Sequence, residues 1–555
     1  MEQARLFLAI ALSFLIIFGW QFFMAEQEGV PPTPPQTQTA ETGKAADAPA
    51  TPLPSSETAA SQSPAIPQQA QAGTDQPARV ITVDTPLYIA KISEKGGAFT
   101  SLVLKNYRES AQKSAPLKAL IPKDLPGGTI HTAFSGGDFP NLDHTVFTAA
   151  TYEDALSVSG APQDLVLSWT SPGGITMEKR FKFSPDTYLV GLDITVKNQT
   201  SLPVEGMLSI GLSGHSPEKE ASYGFEGPSA LINNGLEQIK IKSIKEKNTY
   251  EGKIGWTAIE SRYFFTGVIP KAVEDARLHL SVNNDNLLES QYIVPEVKVD
   301  PATQKTVAFD LFFGPKSLKI LSQYNNGLER LVHFGMFHII AKPCLWLMNY
   351  IYSVIPNYGV AIIILTIIIK AILWPLGNKS YGSMNQMKKL QPLMAEIREK
   401  HKDDKKKMNE ELMGLYRTYK VNPMGGCLPM VLQIPVFFAL YRMLYEAIEL
   451  RHAPFGGWIN DLSAPDRLFQ FDFSIPFMEP PYGIPVLTII MGATMLLQQK
   501  MSPPPGDPTQ AKMMMMMPVV FTFIFINFSS GLVLYWLVNN ILSIAQQYYI
   551  GRKNA

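Results

Sequence analysis

The chain has 555 residues, with 48 Lys+Arg against 48 Asp+Glu and a formal net charge of zero. That balance excludes a globally basic nucleic-acid binder and an acidic tail protein, and two cysteines exclude a disulfide scaffold or a cysteine-built metal cluster. At 46% hydrophobic and 17% charged it is not a disordered chain overall. The zero is a cancellation. Residues 1–320 hold 27 basic and 34 acidic side chains, and residues 321–555 hold 21 and 14. Two halves of opposite charge suit two environments.

The first apolar run, Leu6 to Met24, has 19 residues without a charge. At 1.5 Å per residue it reaches about 28 Å, enough to span a bilayer. A signal peptidase cut after Ala25 would place bulky Phe23 at −3, so residues 1–26 read as an uncleaved transmembrane anchor. Residues 27–79 are rich in Pro, Ala, Gln, Thr and Ser with no periodicity, which is a disordered linker. From 80 to 315, alternating runs such as "DLVLSWTS" and "YLVGLDITVKNQ" recur between Gly, Pro and Asn turns. They predict one large all-β sandwich.

Apolar runs return with spans expected near 358–377, 426–445, 483–500, 513–529 and 531–549. The last two are joined by a tight turn at "FSSG". Pro485 and Pro518 are expected in the first turns of their spans, where a missing N–H costs little. Pro429 and Pro435 are expected inside theirs. Residues 379–424 carry 11 Lys+Arg and 6 Asp+Glu, so this loop is expected in the cytoplasm. Residues 447–482 carry two Arg and five acidic residues and are expected outside. Alternation then puts the β domain on the outer face and both termini inside. Residues 316–356 include the apolar segment "FGMFHIIAKPCLWLMNYIYSVI", which would invert the scheme if it crossed. It is therefore read as an interfacial amphipathic helix on the outer surface. The remaining residues, 357–555, form a five-helix core, giving six transmembrane helices with the anchor. Within that core, residues 380–421 predict a helical hairpin, with Met384, Met387, Leu390, Met394 and Ile397 on one arm and Leu412, Leu415, Tyr416 and Tyr419 on the other. Pro392 is expected to kink the first arm. Its lysines suit anionic lipid or a cytoplasmic partner.

Polar residues inside the spans are the candidates for function. Lys370 and Thr366 are four apart on one helix. Lys370 is close enough to the cytoplasmic end to snorkel, so an anchoring role and a functional charge both stand. Gln433 and the pair Asn539 and Asn540 suit interhelical hydrogen bonds, Asn527 lies in the same final hairpin, and Tyr535 and Trp536 suit ordinary packing. The sequence carries no P-loop, dinucleotide fingerprint, zinc motif or nucleophile elbow. No catalytic residue, metal ligand or cofactor is therefore assigned, and the chain is not read as an enzyme.

The segments "YKVNPMGGCLPMVLQIPVFFALYRML" (419–444), "APFGGWINDLSAPD" (453–466), "QQKMSP" (498–503) and "SSGLVLYWLVNNILSIAQQ" (529–547) closely resemble the YidC-type membrane protein insertases. The anchor, the large outer domain and the five-helix core match the Gram-negative form. The resemblance implies an inner-membrane protein that inserts and chaperones nascent membrane proteins without ATP, alone or with the Sec translocon. It implies a hydrophilic groove bearing a positive charge, which falls on Lys370, with Thr366, Gln433, Tyr535 and Trp536 as groove-lining positions. Family members usually carry Arg where this sequence has Lys370, which keeps the charge and loses the planar fork. The hairpin 380–421 implies contacts with the ribosome and the signal recognition particle receptor. The β domain resembles a sugar-mutarotase-like supersandwich without an implied catalytic role. Two rivals of other classes are a solute channel and a surface-anchored sugar-active enzyme.

Overall fold

The computed structural model describes residues 78–555 apart from 138, 218–223, 420, 422–427, 503–507 and 554–555. The expected anchor at 1–26, and the expected linker 27–79 as far as residue 77, lie outside the described residues.

Strands run from Val80–Asp84 to Gln304–Pro315 and form a five-stranded and a thirteen-stranded sheet. Long antiparallel ladders carry the larger sheet, such as Leu189–Asn198 against Gln304–Pro315 and Val204–His215 against Leu287–Val299. The physical cause is period-2 burial. In Ile175–Phe183 the residues Ile175, Met177, Phe181 and Phe183 face the core, and Lys182 on the other side pairs with Asp193. Aromatic contacts tie the sheets together, with Phe99 packing edge-on to Phe181 at 5.4 Å and tilted against Phe313 at 4.9 Å.

The alternation also puts Lys179 inside, where it is 1% exposed. Its ammonium donates to the Gly96 carbonyl at 2.5 Å and lies 4.8 Å over the Phe147 ring. Burial lowers its pKa to about 8, and the Asp143 charge opposes that shift. Asp143 sits 3.3 Å from the His131 ring, whose other nitrogen contacts the Gly128 carbonyl at 3.1 Å.

The helical part follows a single turn at Leu318–Leu321. We number its helices α1 (His338–Val354), α2 (Tyr358–Lys400), α3 (Lys405–Thr418), α4 (Leu428–Glu446), α5 (Val486–Met501), α6 (Pro508–Phe525) and α7 (Ser530–Lys553). Within 316–356 the helix is therefore confined to α1. One side of α1 buries Ala341, Leu345, Met348 and Ile351, and the other exposes Ile339, Trp346, Tyr350 and Val354. Both rows recur at three- and four-residue multiples, so one helix presents two apolar faces.

α2 takes in both the expected span near 358–377 and the first arm of the hairpin. It continues for 43 residues, about 64 Å, more than twice the roughly 30 Å of a bilayer core. Its first arm of the hairpin is thus the same helix as the span. Asn357 caps its start by accepting from the Val360 N–H at 3.1 Å. Pro375 and Pro392 lie inside, where each removes one donor without ending the helix. α3 folds back under an Asp404 cap that accepts from the Lys407 N–H at 3.0 Å. Leu390, Met394, Leu412 and Val421 form the buried seam, and Tyr419 stays exposed.

Pro485 precedes α5 as its cap residue. Pro518 is a correction: α6 begins at Pro508, so Pro518 lies ten residues in rather than in the first turn. α2 is the one described helix long and apolar enough to cross a membrane by length and composition. α5 and Met514–Phe525 are shorter apolar helices.

The helix ends on the side of the β domain are tied together by the loop 447–485. Buried Asp466 accepts from Trp458 Nε1 at 2.5 Å and from the Leu487 N–H at the start of α5. Arg467 donates to the carbonyls of Pro481 and Ile526, both at 2.8 Å, and to Asn527 at 3.2 Å. Asn527 therefore lies beyond the end of α6 and bonds the loop 447–485 rather than another helix. Ser530 and Gly531 at the start of α7 bond back to Ala464 and Leu462. The β domain rests on this same face. Arg262 donates twice to the Tyr445 carbonyl, at 2.7 and 3.0 Å, and stacks 3.6 Å over its ring. Ser317 donates to Glu449 at 3.4 Å.

Candidate functional site

A polar stripe runs along α7. Tyr535, Asn539, Ser543 and Gln547 follow one another at four-residue steps, with Gln546 beside them. Such spacing keeps all of them near one helix face. The stripe is about 18 Å long from Tyr535 to Gln547. α2 presents a matching row at Thr366, Lys370, Asn378 and Tyr381.

The two rows meet. Lys370 Nζ donates to Ser543 Oγ at 2.7 Å, and Ser543 Oγ donates in turn to the Asn539 carbonyl at 2.7 Å. Tyr381 also hydrogen-bonds Ser543. Gln546 Nε2 donates to Asn378 Oδ1 at 2.9 Å and to the Trp374 carbonyl at 3.1 Å. The close approach of the helices is set by Gly377, where an added Cβ would lie 2.7 Å from Gln546 Nε2. Asn540 leaves the stripe and donates to Thr494 of α5 at 3.3 Å.

Lys370 is half-buried and its ammonium points at α7 inside the seam. No carboxylate pairs with it among the described residues. An ammonium offers three donors, and the one hydroxyl that it reaches is neutral. Thr366 is 2% exposed, and its hydroxyl donates to the Ile362 carbonyl of its own helix at 2.6 Å. Its polarity is thus satisfied locally.

The remaining predicted residues gather toward the outer end. Gln433 of α4 hydrogen-bonds Tyr535, which is 3% exposed. Trp536 turns away from Tyr535 into an aromatic cluster. Phe437 meets it edge-on at 4.7 Å and Phe525 at 4.9 Å, with Phe521 at 6.3 Å. The structure therefore separates the five positions: Lys370 in the α2–α7 seam, Gln433 with Tyr535 between α4 and α7, Trp536 among phenylalanines, Thr366 within α2. Ser543, Gln546, Asn378 and Tyr381 were missed from sequence. The signal was available for the first two, since Ser543 continues the four-residue spacing from Tyr535 and Gln546 follows it by three. Asn378 and Tyr381 were hidden by the expected end of the span at 377.

The family described as 60Kd inner membrane protein matches residues 350–555, and the YidC periplasmic domain family matches residues 80–347. A Pelobacter propionicus protein named membrane protein insertase YidC is 41% identical over 560 residues, covering 99% of both chains. A protein of the same name from Syntrophus aciditrophicus is 41% identical over 556 residues, covering 98% of this chain and 99% of its own. Among solved structures, an active YidC insertase with its first transmembrane domain resolved aligns at 19% identity and a TM-score of 0.37, covering 85% of this chain and 94% of that one. A galactose mutarotase related enzyme from Lactobacillus acidophilus aligns at 9% identity and a TM-score of 0.33, over 42% of this chain and 97% of its own.

Proposed function

The chain belongs to the YidC family of membrane protein insertases, and from that premise we propose that the α2–α7 seam receives the polar, translocated segments of nascent inner-membrane proteins. The observation that carries this reading is the Lys370 ammonium, held against neutral Ser543 without a carboxylate partner among the described residues. A charge so placed is costly inside a membrane and is retained for a use. Here it offers an acidic tail a site of transient attraction partway across the hydrocarbon.

The polar stripe of α7 supports a hydrophilic groove open toward the cytoplasm, and the locked outer loop supports closure on the periplasmic side. A wet half-path shortens the dry distance that a polar tail must cross. The apolar span then leaves sideways into lipid, driven by burial at about 25 cal/mol per Å². No covalent step and no cofactor enters this reading. The finer assignments rest on the same premise. They are six spans with both termini in the cytoplasm, a chaperone role, and cooperation with the Sec translocon. The basic hairpin of α2 and α3 faces ribosome, signal recognition particle receptor and anionic lipid.

The test is photocrosslinking from Ser543 and Trp536 to a stalled membrane-protein chain in native membranes. Crosslinks at both, with none from the exposed Ile541 on α7, are expected. Crosslinking from Ile541 alone overturns the seam as the entry site.

A further inference from the structure

The outer loop carries a feature that insertion through the α2–α7 seam does not use. Leu468–Phe471 pairs antiparallel with Tyr482–Ile484 to make a two-stranded hairpin. From 469 to 477 its odd positions are Phe469, Phe471, Phe473, Ile475 and Phe477, separated by Gln470, Asp472, Ser474 and Pro476. The strand covers Leu468–Phe471, is bulged at Phe469 (φ 51°), and gives way to loop beyond Phe471, so the rings are displayed along an exposed tip. Among the described residues its rings at 469, 473 and 477 are left exposed. Phe469 is 70% exposed, Phe473 64% and Phe477 87%, and the rings of Phe471 and Phe473 stack at 5.1 Å. An isolated two-stranded hairpin is marginal in water, and an exposed row of phenylalanines marks an interaction site.

Position identifies the occupant. The hairpin springs directly from Arg467, which ties it to Ile526 and Asn527 at the outer end of α6. It ends one residue before α5, whose first turn is held by Asp466. Its apolar surface continues through exposed Ile484 onto exposed Ile489 and Ile490 of α5, a helix with no outward charge along that turn. The segment 468–484 contains no Lys or Arg, and its acidic residues are Asp472 and Glu479. The surface is therefore neither a basic patch for an anionic partner nor a groove shaped for a peptide. Aromatic residues at this level suit the boundary between headgroups and acyl chains.

We propose that the 468–484 hairpin is a monotopic wedge that inserts its phenylalanine face into the outer leaflet of the bilayer beside α5. The proposal rests on the reading of this chain as an inner-membrane protein. With Cys344 and Cys427 replaced by serine, single cysteines at 473, 477, 202 and 541 of the full chain are labelled with an environment-sensitive fluorophore and reconstituted into phospholipid vesicles. Insertion of about 5–10 Å predicts that labels at 473 and 477 shift to the blue, resist iodide and lose about half their emission to shallow doxyl lipid. Leu202, exposed on the β domain, serves as the aqueous reference. Labels at 473 and 477 that behave like 202 overturn the proposal. Labels shielded from iodide yet indifferent to doxyl lipid also overturn it, because protein then covers the face. The Ile541 label separates the two failures. If it is quenched and 473 is not, only the wedge falls; if it too escapes quenching, the membrane reading falls and takes the wedge with it.

Discussion

Ser543 gives Lys370 one hydrogen bond and no countercharge. At an effective dielectric of about 20, a carboxylate about 12 Å away gains about 1.4 kcal/mol from such a cation, which is about tenfold in occupancy. Lys370→Ala is therefore expected to lower insertion of substrates with acidic translocated tails by about tenfold, while tails without acidic residues are little affected. Lys370→Arg is expected to retain most activity, because the charge is kept. Protease protection in reconstituted vesicles reads both. Equal activity of the Ala variant on every substrate returns Lys370 to a mere anchor. A second residue-scale prediction concerns Lys179. Its pKa is lowered by burial to about 8 against an ordinary 10.5, so folding buries a charge below pH 8 and a neutral amine above 10.5. Its destabilising contribution is thus full at low pH and is relieved as pH rises from about 8 to 10.5. His131 runs the other way. Burial opposes its charge, but the hydrogen bond and charge of Asp143 prevail and raise its pKa. Its stabilisation is complete below about 6.5 and is lost as pH rises through the folded value. Hydrogen exchange of the β strands across pH, in wild type, Lys179→Met and His131→Gln, checks both signs.

Between elements, contacts that need a missing side chain set the helix spacing. A Cβ on Gly492 of α5 would meet Thr522 Oγ1 of α6 at 2.2 Å and its methyl at 3.2 Å. Gly492→Ala is expected to destabilise this pair by about 1–3 kcal/mol, as overpacking does. Adding Thr522→Ala removes both atoms and is expected to restore most of the loss, which thermal unfolding in detergent measures. A double variant no better than the single one rules out the clash as the cause. Elements were also where sequence reading succeeded and failed for stated reasons. The three-and-four spacing of Leu390, Met394 and Leu412 foretold a packed hairpin. The continuity of α2 across Leu376 was not legible, because apolarity stops there while backbone hydrogen bonding does not. Pro375 takes away one donor and leaves the helix running.

Across the whole molecule, the β domain and the helical core meet at the outer face through Arg262 with Tyr445 and Ser317 with Glu449. Among the described residues, Lys370, Ser543, Gln546 and Asn378 bond to one another, to Tyr381 and to α2 and α7 backbone. Removal of residues 80–310 is therefore expected to leave insertion largely intact, within about threefold as a change of under 1 kcal/mol would give. A folded core with abolished insertion places the working part in the β domain instead. The sequence by itself determined the division into an alternating, acidic β half and an apolar, basic helical half, because periodicity and loop charge are local properties that one chain displays in order. It also marked Lys370, since a charge within an apolar run is visible without a fold. Only the tertiary structure decided what each polar side chain faces. Thr366 and Lys370 share a helix face, yet one bonds its own backbone and the other reaches Ser543. Lys179 looks like any strand lysine until the pleat turns it inward. Hydrogen bonds and desolvation depend on neighbours about 170 residues away in the case of Lys370 and Ser543, and no local pattern carries that distance.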